Sequence, residues 1–324
     1  MPRRSVRLFA LWLALVAILV PAGLLSTRAQ DPNRPPPVQG NTTRNGTPIA
    51  PYIYSSSFDI GPHNLFLDCV GAGGPAIILE TGFSEPGAAM DMLQNELGRT
   101  NLTCTYDRAG LGRSGEAPEP RVASDVVADL QALLKLAGVP TPYVLVGHSA
   151  GGTFVQLYAR TYPDQVLGVV AMNPVPPAGL WLPRALPLMD AWEQSEEEAA
   201  YRGEGQSESI DWNASGNQLL AAPASPPGMP FEMLISSNAQ CRAPGDTCNR
   251  TWEVYRAIQQ EVTAQWPQGT MTVLPVGVDI HVNAIPDVIR AIHRVIGPNA
   301  TPVVVAPVAP GAGTPPGTPA TPVS

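Results

Sequence analysis

Metal-binding spacings are missing from this chain of 324 residues. It has no Cys-x-x-Cys pair and no His-Glu-x-x-His segment, the patterns that set zinc ligands on one turn or one helix face. No metal centre and no other cofactor is therefore expected. Histidine is scarce, with four in all: His63, His148, His281 and His293. Blocks of basic residues interleaved with aromatics are also missing. The formal net charge is −8, with the charges scattered. That argues against nucleic acid as a partner. There is no internal repeat. Proline (37) and glycine (30) are plentiful, but much of the proline lies in two tails and says little about a core.

What is present begins with an export pattern. Arg3, Arg4 and Arg7 precede an uninterrupted apolar run, Leu8 to Val20, and a small residue, Ala29, offers a cleavage point. If left uncut, Leu8 to Leu25 is barely long enough to anchor the chain in a bilayer, with the remainder facing outward. Residues 1–29 are expected to be a signal peptide or signal anchor, and the protein to be secreted or membrane-anchored. The four cysteines suit that route. Cys241 and Cys248 bracket a turn-rich loop that a disulfide could close. Cys69 and Cys104 fall in expected strands, where they either pair or serve as small buried hydrophobes.

Composition marks residues 30–51 as a Pro-rich linker and residues 299–324 as a Pro/Thr-rich tail that cannot build a core. The folded domain is expected over residues 52–298. Within it, apolar strands alternate with helices of 3.6-residue periodicity. The clearest helix is Ala123 to Ala137, with Val126, Val127, Leu130, Leu133 and Leu134 on one face and Gly138 as its stop. Such alternation predicts an α/β domain with a mainly parallel sheet covered on both faces. The rhythm breaks over about 174–229, after the sixth strand. That stretch holds Trp181, Trp192 and Trp212, and is expected to be a lid. Its tryptophans, with Leu180 and Tyr201, line an apolar substrate pocket or form the lid's own core. The run Glu196 to Glu198 reads as a solvated helix face.

The densest chemical signal is Val144-Leu-Val-Gly-His-Ser-Ala-Gly-Gly152. An apolar strand ends at Gly147, a serine stands at the apex of a sharp turn, and a helix follows. Ser149 lies between Gly147 and Gly151, in the pattern G-x-S-x-G. Small residues are needed there because strand and helix nearly touch. This is a nucleophile elbow: strain lifts the hydroxyl clear of the sheet, and the helix start presents N–H groups beside it.

With Ile78-Leu-Glu-Thr-Gly82 and Tyr106-Asp-Arg-Ala-Gly-Leu-Gly-Arg-Ser-Gly115, this motif makes residues 58–297 resemble the α/β-hydrolase superfamily, nearest to its esterase and prolyl-aminopeptidase-like members. The resemblance implies an α/β-hydrolase fold and a Ser149 nucleophile. It implies an oxyanion hole made of the Ala150 N–H and that of Gly82 or Phe83. Asp107, Arg108 and Arg113 then belong to a structural turn.

The base departs from the family pattern. Val278 occupies the place of the usual histidine. His281 lies in the same loop, three residues late, and is either the base or a surface histidine. His148 should point away from Ser149, and His293 lies inside the last helix. For the acid, Asp246 is the first carboxylate after the relevant strand. Asp279 is another possibility, and the alternative family position holds the uncharged Asn173. Two functions follow. One is an exported serine hydrolase that cleaves a small-molecule ester or acyl substrate through an acyl-enzyme. The other is a catalytically degenerate α/β-hydrolase-fold binding protein without a general base.

Overall fold

The computed structural model describes residues 54–205, 207–237 and 247–297. The export segment, the linker, the tail, Cys241 and Asp246 lie outside the described residues. Among the described residues, no helix is long and apolar enough to cross a membrane.

Eight strands form one sheet: β1 (Tyr54–Asp59), β2 (Asn64–Val70), β3 (Ala76–Glu80), β4 (Thr103–Asp107), β5 (Tyr143–His148), β6 (Val166–Met172), β7 (Pro230–Ser236) and β8 (Gln268–Leu274). Their order is β1-β2-β4-β3-β5-β6-β7-β8. β1 and β2 join antiparallel, and every pairing from β4 to β8 is parallel. The strand β1 has no counterpart in the sequence reading, because Ser55, Ser56 and Ser57 break any apolar alternation.

The central strands are buried on both faces, as strands covered by crossover helices must be. Period-two alternation divides each of them between two cores. Ile78 and Leu145 join one core, while Ile77, Leu79, Val144 and Val146 join the other. Helices α2 (Ala123–Leu136), α3 (Ala150–Thr161) and α7 (Thr247–Ala264) cover the first face. Helices α1 (Asp91–Leu97) and α9 (Ile285–Ile296) cover the second. In α2 the expected apolar stripe is the buried one, and Gly138 at φ +67 ends the helix.

Between β6 and β7 lie α4 (Ala178–Ala185), α5 (Ala191–Tyr201) and α6 (Trp212–Ala221). Trp181, Tyr201 and Trp212 are fully buried there, while Trp192 stands out in solvent. Trp212 stacks on Phe154 of α3 and meets Phe83 edge-on. These rings are therefore the packing between insertion and body. One expectation changes: Glu197, the middle residue of the acidic run, is buried and accepts a 2.6 Å hydrogen bond from the Trp181 indole. Burial raises its carboxyl to about 7.

Cys69 and Cys104 face each other in the β2–β4 ladder and are joined by a disulfide, with a Cα–Cα separation of 4.0 Å. The Cys241–Cys248 pairing involves a residue outside the described ones.

Candidate active site

Ser149 sits between β5 and α3 with φ 51 and ψ −116, a left-handed conformation that serine adopts only under constraint. Backbone hydrogen bonds supply the constraint. The Ser149 N–H donates to Met172 O (2.8 Å), and the Gly151 N–H donates to Thr81 O (3.0 Å). The Ser149 carbonyl accepts from Gly152 (3.0 Å) and Val175 (3.3 Å). The flanking glycines are steric necessities. A Cβ on Gly147 would lie 2.3 Å from Gly151 O, and one on Gly151 would lie 2.3 Å from Glu80 O. The serine remains partly accessible.

The loop after β3 runs beside the elbow. Among the described residues, no hydrogen bond engages the N–H of Ala150 or of Phe83. The Gly82 N–H is already taken: it donates to Glu85 Oε2 at 2.8 Å. Of the three expected oxyanion donors, Ala150 and Phe83 have the free amides.

A buried ionic cluster supports this loop. Arg108 donates to Glu80 Oε1 (2.8 Å), to the Thr81 and Gly82 carbonyls (2.9 and 2.6 Å), and to both oxygens of Glu208 (2.7 and 2.8 Å). Glu208 comes from the insertion and also accepts from the Ser84 N–H at 2.7 Å. Desolvation works against the buried charges. It raises the Glu80 carboxyl, whereas the two carboxylates hold the Arg108 guanidinium firmly protonated. The family's structural turn thus fixes the carbonyl side of the loop and fastens the insertion over it.

His281 lies in the short helix α8 (Ile280–Asn283) and is buried, which rules out a surface histidine. Among the described residues, no hydrogen bond joins it to Ser149. Its ring packs instead against His148, 4.2 Å between centroids. The parity of β5 explains this. His148 continues the face of Val144 and Val146, opposite Leu145, and so points toward α8. His148 Nε2 donates to Val278 O at 3.1 Å, and the same carbonyl accepts from Asn173 Nδ2 at 2.8 Å. Glu85 Oε2 lies 3.8 Å from His148 Nδ1. Burial, with His148 close by, lowers His281 to about 3, so its ring is neutral. Asp279 precedes α8 and is exposed. Asn173 is buried at φ 43, and its Oδ1 accepts from the Ser236 N–H at 2.9 Å.

Sequence reasoning missed the group that converges here: Glu85, His148 and His281 come from the loop after β3, the end of β5 and α8. The only local trace is Gly82-Phe-Ser-Glu85, a spacing that lets a carboxylate cap the amide three residues back.

The strand order, the motif order and the braced elbow are those of the α/β-hydrolase fold. A family model for the alpha/beta hydrolase fold matches residues 75–205. The chain is similar to the uncharacterized protein YqjL of Bacillus subtilis (strain 168), 34% identical over 104 residues, which is 32% of this chain and 41% of that protein. It is also similar to a putative carbamate hydrolase, RutD, of Azorhizobium caulinodans, 33% identical over 114 residues, 35% of this chain and 42% of that one. The chain spans less than half the length of these curated relatives. Among solved structures, an alpha/beta hydrolase fold protein from Burkholderia ambifaria superposes with a TM-score of 0.54 at 13% identity, covering 75% of this chain and 99% of that one. A probable hydrolytic enzyme from Pseudomonas aeruginosa gives 0.52 at 20% identity, covering 76% and 95%. Those likenesses establish the fold alone.

Proposed function

We propose that the protein is an exported serine hydrolase that cleaves small carboxylic esters through a Ser149 acyl-enzyme. One observation carries the reading: Ser149 is held at φ 51, partly accessible, at the start of a helix, next to two unengaged amides. Ser149 Oγ attacks the carbonyl carbon. The oxyanion is received by the N–H groups of Ala150 and Phe83. The serine proton passes to His281 and then to the departing alkoxide, and water releases the acid by the same route. For His281 to reach Ser149, the loop around Val278 has to loosen from His148 and Asn173. The acid is Asp246 on the sequence argument. Glu85 is the carboxylate beside the two histidines.

A fluorophosphonate probe tests the nucleophile. Wild-type protein is expected to label, and Ser149→Ala to abolish labelling. Equal labelling of both would sink the assignment. His281→Ala is then expected to lower ester turnover on the order of 10³-fold or more with the fold intact. Unchanged turnover removes His281 from the mechanism.

A second reading, the binding protein without turnover, is favoured by the missing Ser149–His281 hydrogen bond and by Val278 in the base position. Val278→His discriminates: a large gain in turnover would mark the natural protein as a weakened enzyme. Export rests on residues 1–29, and cell fractionation checks it. Recovery only from the cytoplasm with an intact N-terminus would overturn it.

A further inference from the structure

We propose that Glu85, His148 and His281 form a binding site for a divalent transition-metal ion of the zinc class, behind the nucleophile elbow. One ligand-capable atom from each of the three lies within 4.8 Å of the others, and all three side chains are buried. The tautomer of His148 follows from its neighbour. A carbonyl oxygen can only accept, so the nitrogen 3.1 Å from Val278 O carries the hydrogen. In the neutral ring, Nδ1 then presents a lone pair. That atom is enclosed and has no hydrogen-bond partner, and the same holds for His281 Nδ1.

Glu85 Oε2, 3.8 Å from His148 Nδ1, is a further acceptor. The Gly82 N–H fixes it in place. Two imidazole nitrogens without hydrogen-bond partners thus gather beside a carboxylate oxygen, an arrangement that a bound cation would satisfy. The two rings lie 4.2 Å apart, so protonating both would set two cations against each other. A metal ion uses both lone pairs at once.

The donor set selects the ion. Two imidazole nitrogens and one carboxylate suit zinc and its neighbours, whereas calcium and magnesium require oxygen-rich shells. The supporting contacts match as well. The Val278 carbonyl orients His148 through its second nitrogen, as outer-shell carbonyls orient metal-bound histidines. No short sequence spacing announces the site, because its ligands come from the β3 loop, the end of β5 and α8. The proposal does not rest on the acyl-enzyme reading: a His281 ring that holds the metal through its lone pair does not at the same time take the Ser149 proton, and metal binding is measured without turnover.

The test uses untagged, chelator-treated full-length protein and Zn²⁺ itself. Isothermal titration is expected to show one Zn²⁺ per chain. Glu85→Gln should weaken the affinity on the order of tenfold or more. The double change His148→Ala with His281→Ala should abolish binding, while His293→Ala, at an exposed helical position, should leave it unchanged. No binding to the wild type would leave a shared proton as the occupant and overturn the proposal. Undiminished binding in both ligand variants would overturn it equally. Should those variants fail to fold, X-ray absorption of the zinc-loaded wild type decides. Scattering from two imidazoles supports the site, and a shell without imidazole refutes it.

Discussion

The glycines of the nucleophile elbow and the anchoring carboxylates of the insertion above it are all buried, yet the two regions are held by different forces. At the elbow, backbone amides and carbonyls satisfy one another: Ser149, Gly151 and Gly152 donate to Met172, Thr81 and Ser149, and no ionised side chain is involved. The insertion is fastened by buried charge, with Arg108 gripping Glu208, and by a buried carboxyl, Glu197, under the Trp181 indole. A backbone lattice needs only small residues at set spacings. Buried charges need partners brought from far along the chain, and their strength depends on ionisation. The elbow should accordingly fail by steric insult, and the insertion by loss of a partner or by a change of pH.

The largest effect is expected from Gly151→Ala. Its new Cβ would meet the Glu80 carbonyl carbon and oxygen, both backbone atoms that cannot move aside. The variant should lose more than about 4 kcal/mol of stability, or not accumulate folded. Gly277→Ala, in the loop before α8, has nothing within 4 Å of its Cβ and should be neutral or gain up to about 1 kcal/mol. Chemical denaturation of the pair measures the contrast. Similar stability for both would mean that the elbow relaxes more easily than its hydrogen bonds imply.

Breaking the insertion's grip comes next. Glu208→Ala leaves Arg108 buried with Glu80 as its remaining carboxylate and should cost about 3–5 kcal/mol. Limited proteolysis should cut first within the insertion, before the strands around Ser149. Cleavage in the same order and at the same rate as in the wild type would show that apolar packing of Trp181 and Trp212 suffices to hold it.

The smallest effect sharpens the contrast through pH. Glu197 has its folded value raised from 4.5 to about 7 by burial. Below pH 4.5 folded and unfolded chains both carry the proton. Between 4.5 and 7 the unfolded chain releases it first, so stability falls as pH rises, by about 1–3 kcal/mol in total. Glu197→Gln cannot ionise and should remove that part of the slope. Melting temperatures at pH 5 and pH 8 test this, and equal slopes in variant and wild type would refute it.

How much was legible in the sequence follows the same division. Apolar runs and helical spacing made the alternation of strands and helices legible, with Ala123 to Ala137 the clearest helix, because burial against a sheet imposes its own periodicity. The polar β1 escaped, since it is held at the edge by ladder pairing with β2 rather than by its own apolar face. Ser149 was legible because the elbow needs glycines within two residues of it. The sequence left the second oxyanion donor open between Gly82 and Phe83, because the occupation of the Gly82 amide by Glu85, three residues on, is visible only in the fold. The sequence put His281 in the loop before the last helix, and the structure places it there in α8. Its burial against His148 instead of contact with Ser149 could not be read from the spacing.

The sequence by itself determined the α/β-hydrolase architecture, the position of the elbow serine and the small residues that permit its strain. These depend on contacts within a few residues or on the regular period of an element. Only the tertiary structure decided which amides remain free beside Ser149, that Glu208 reaches back to Arg108, and that Glu85, His148 and His281 come together in one buried cluster. Those outcomes depend on the parity of β5 and on loops from opposite ends of the domain. No local pattern of residues encodes a distance between segments that meet only after the sheet has formed.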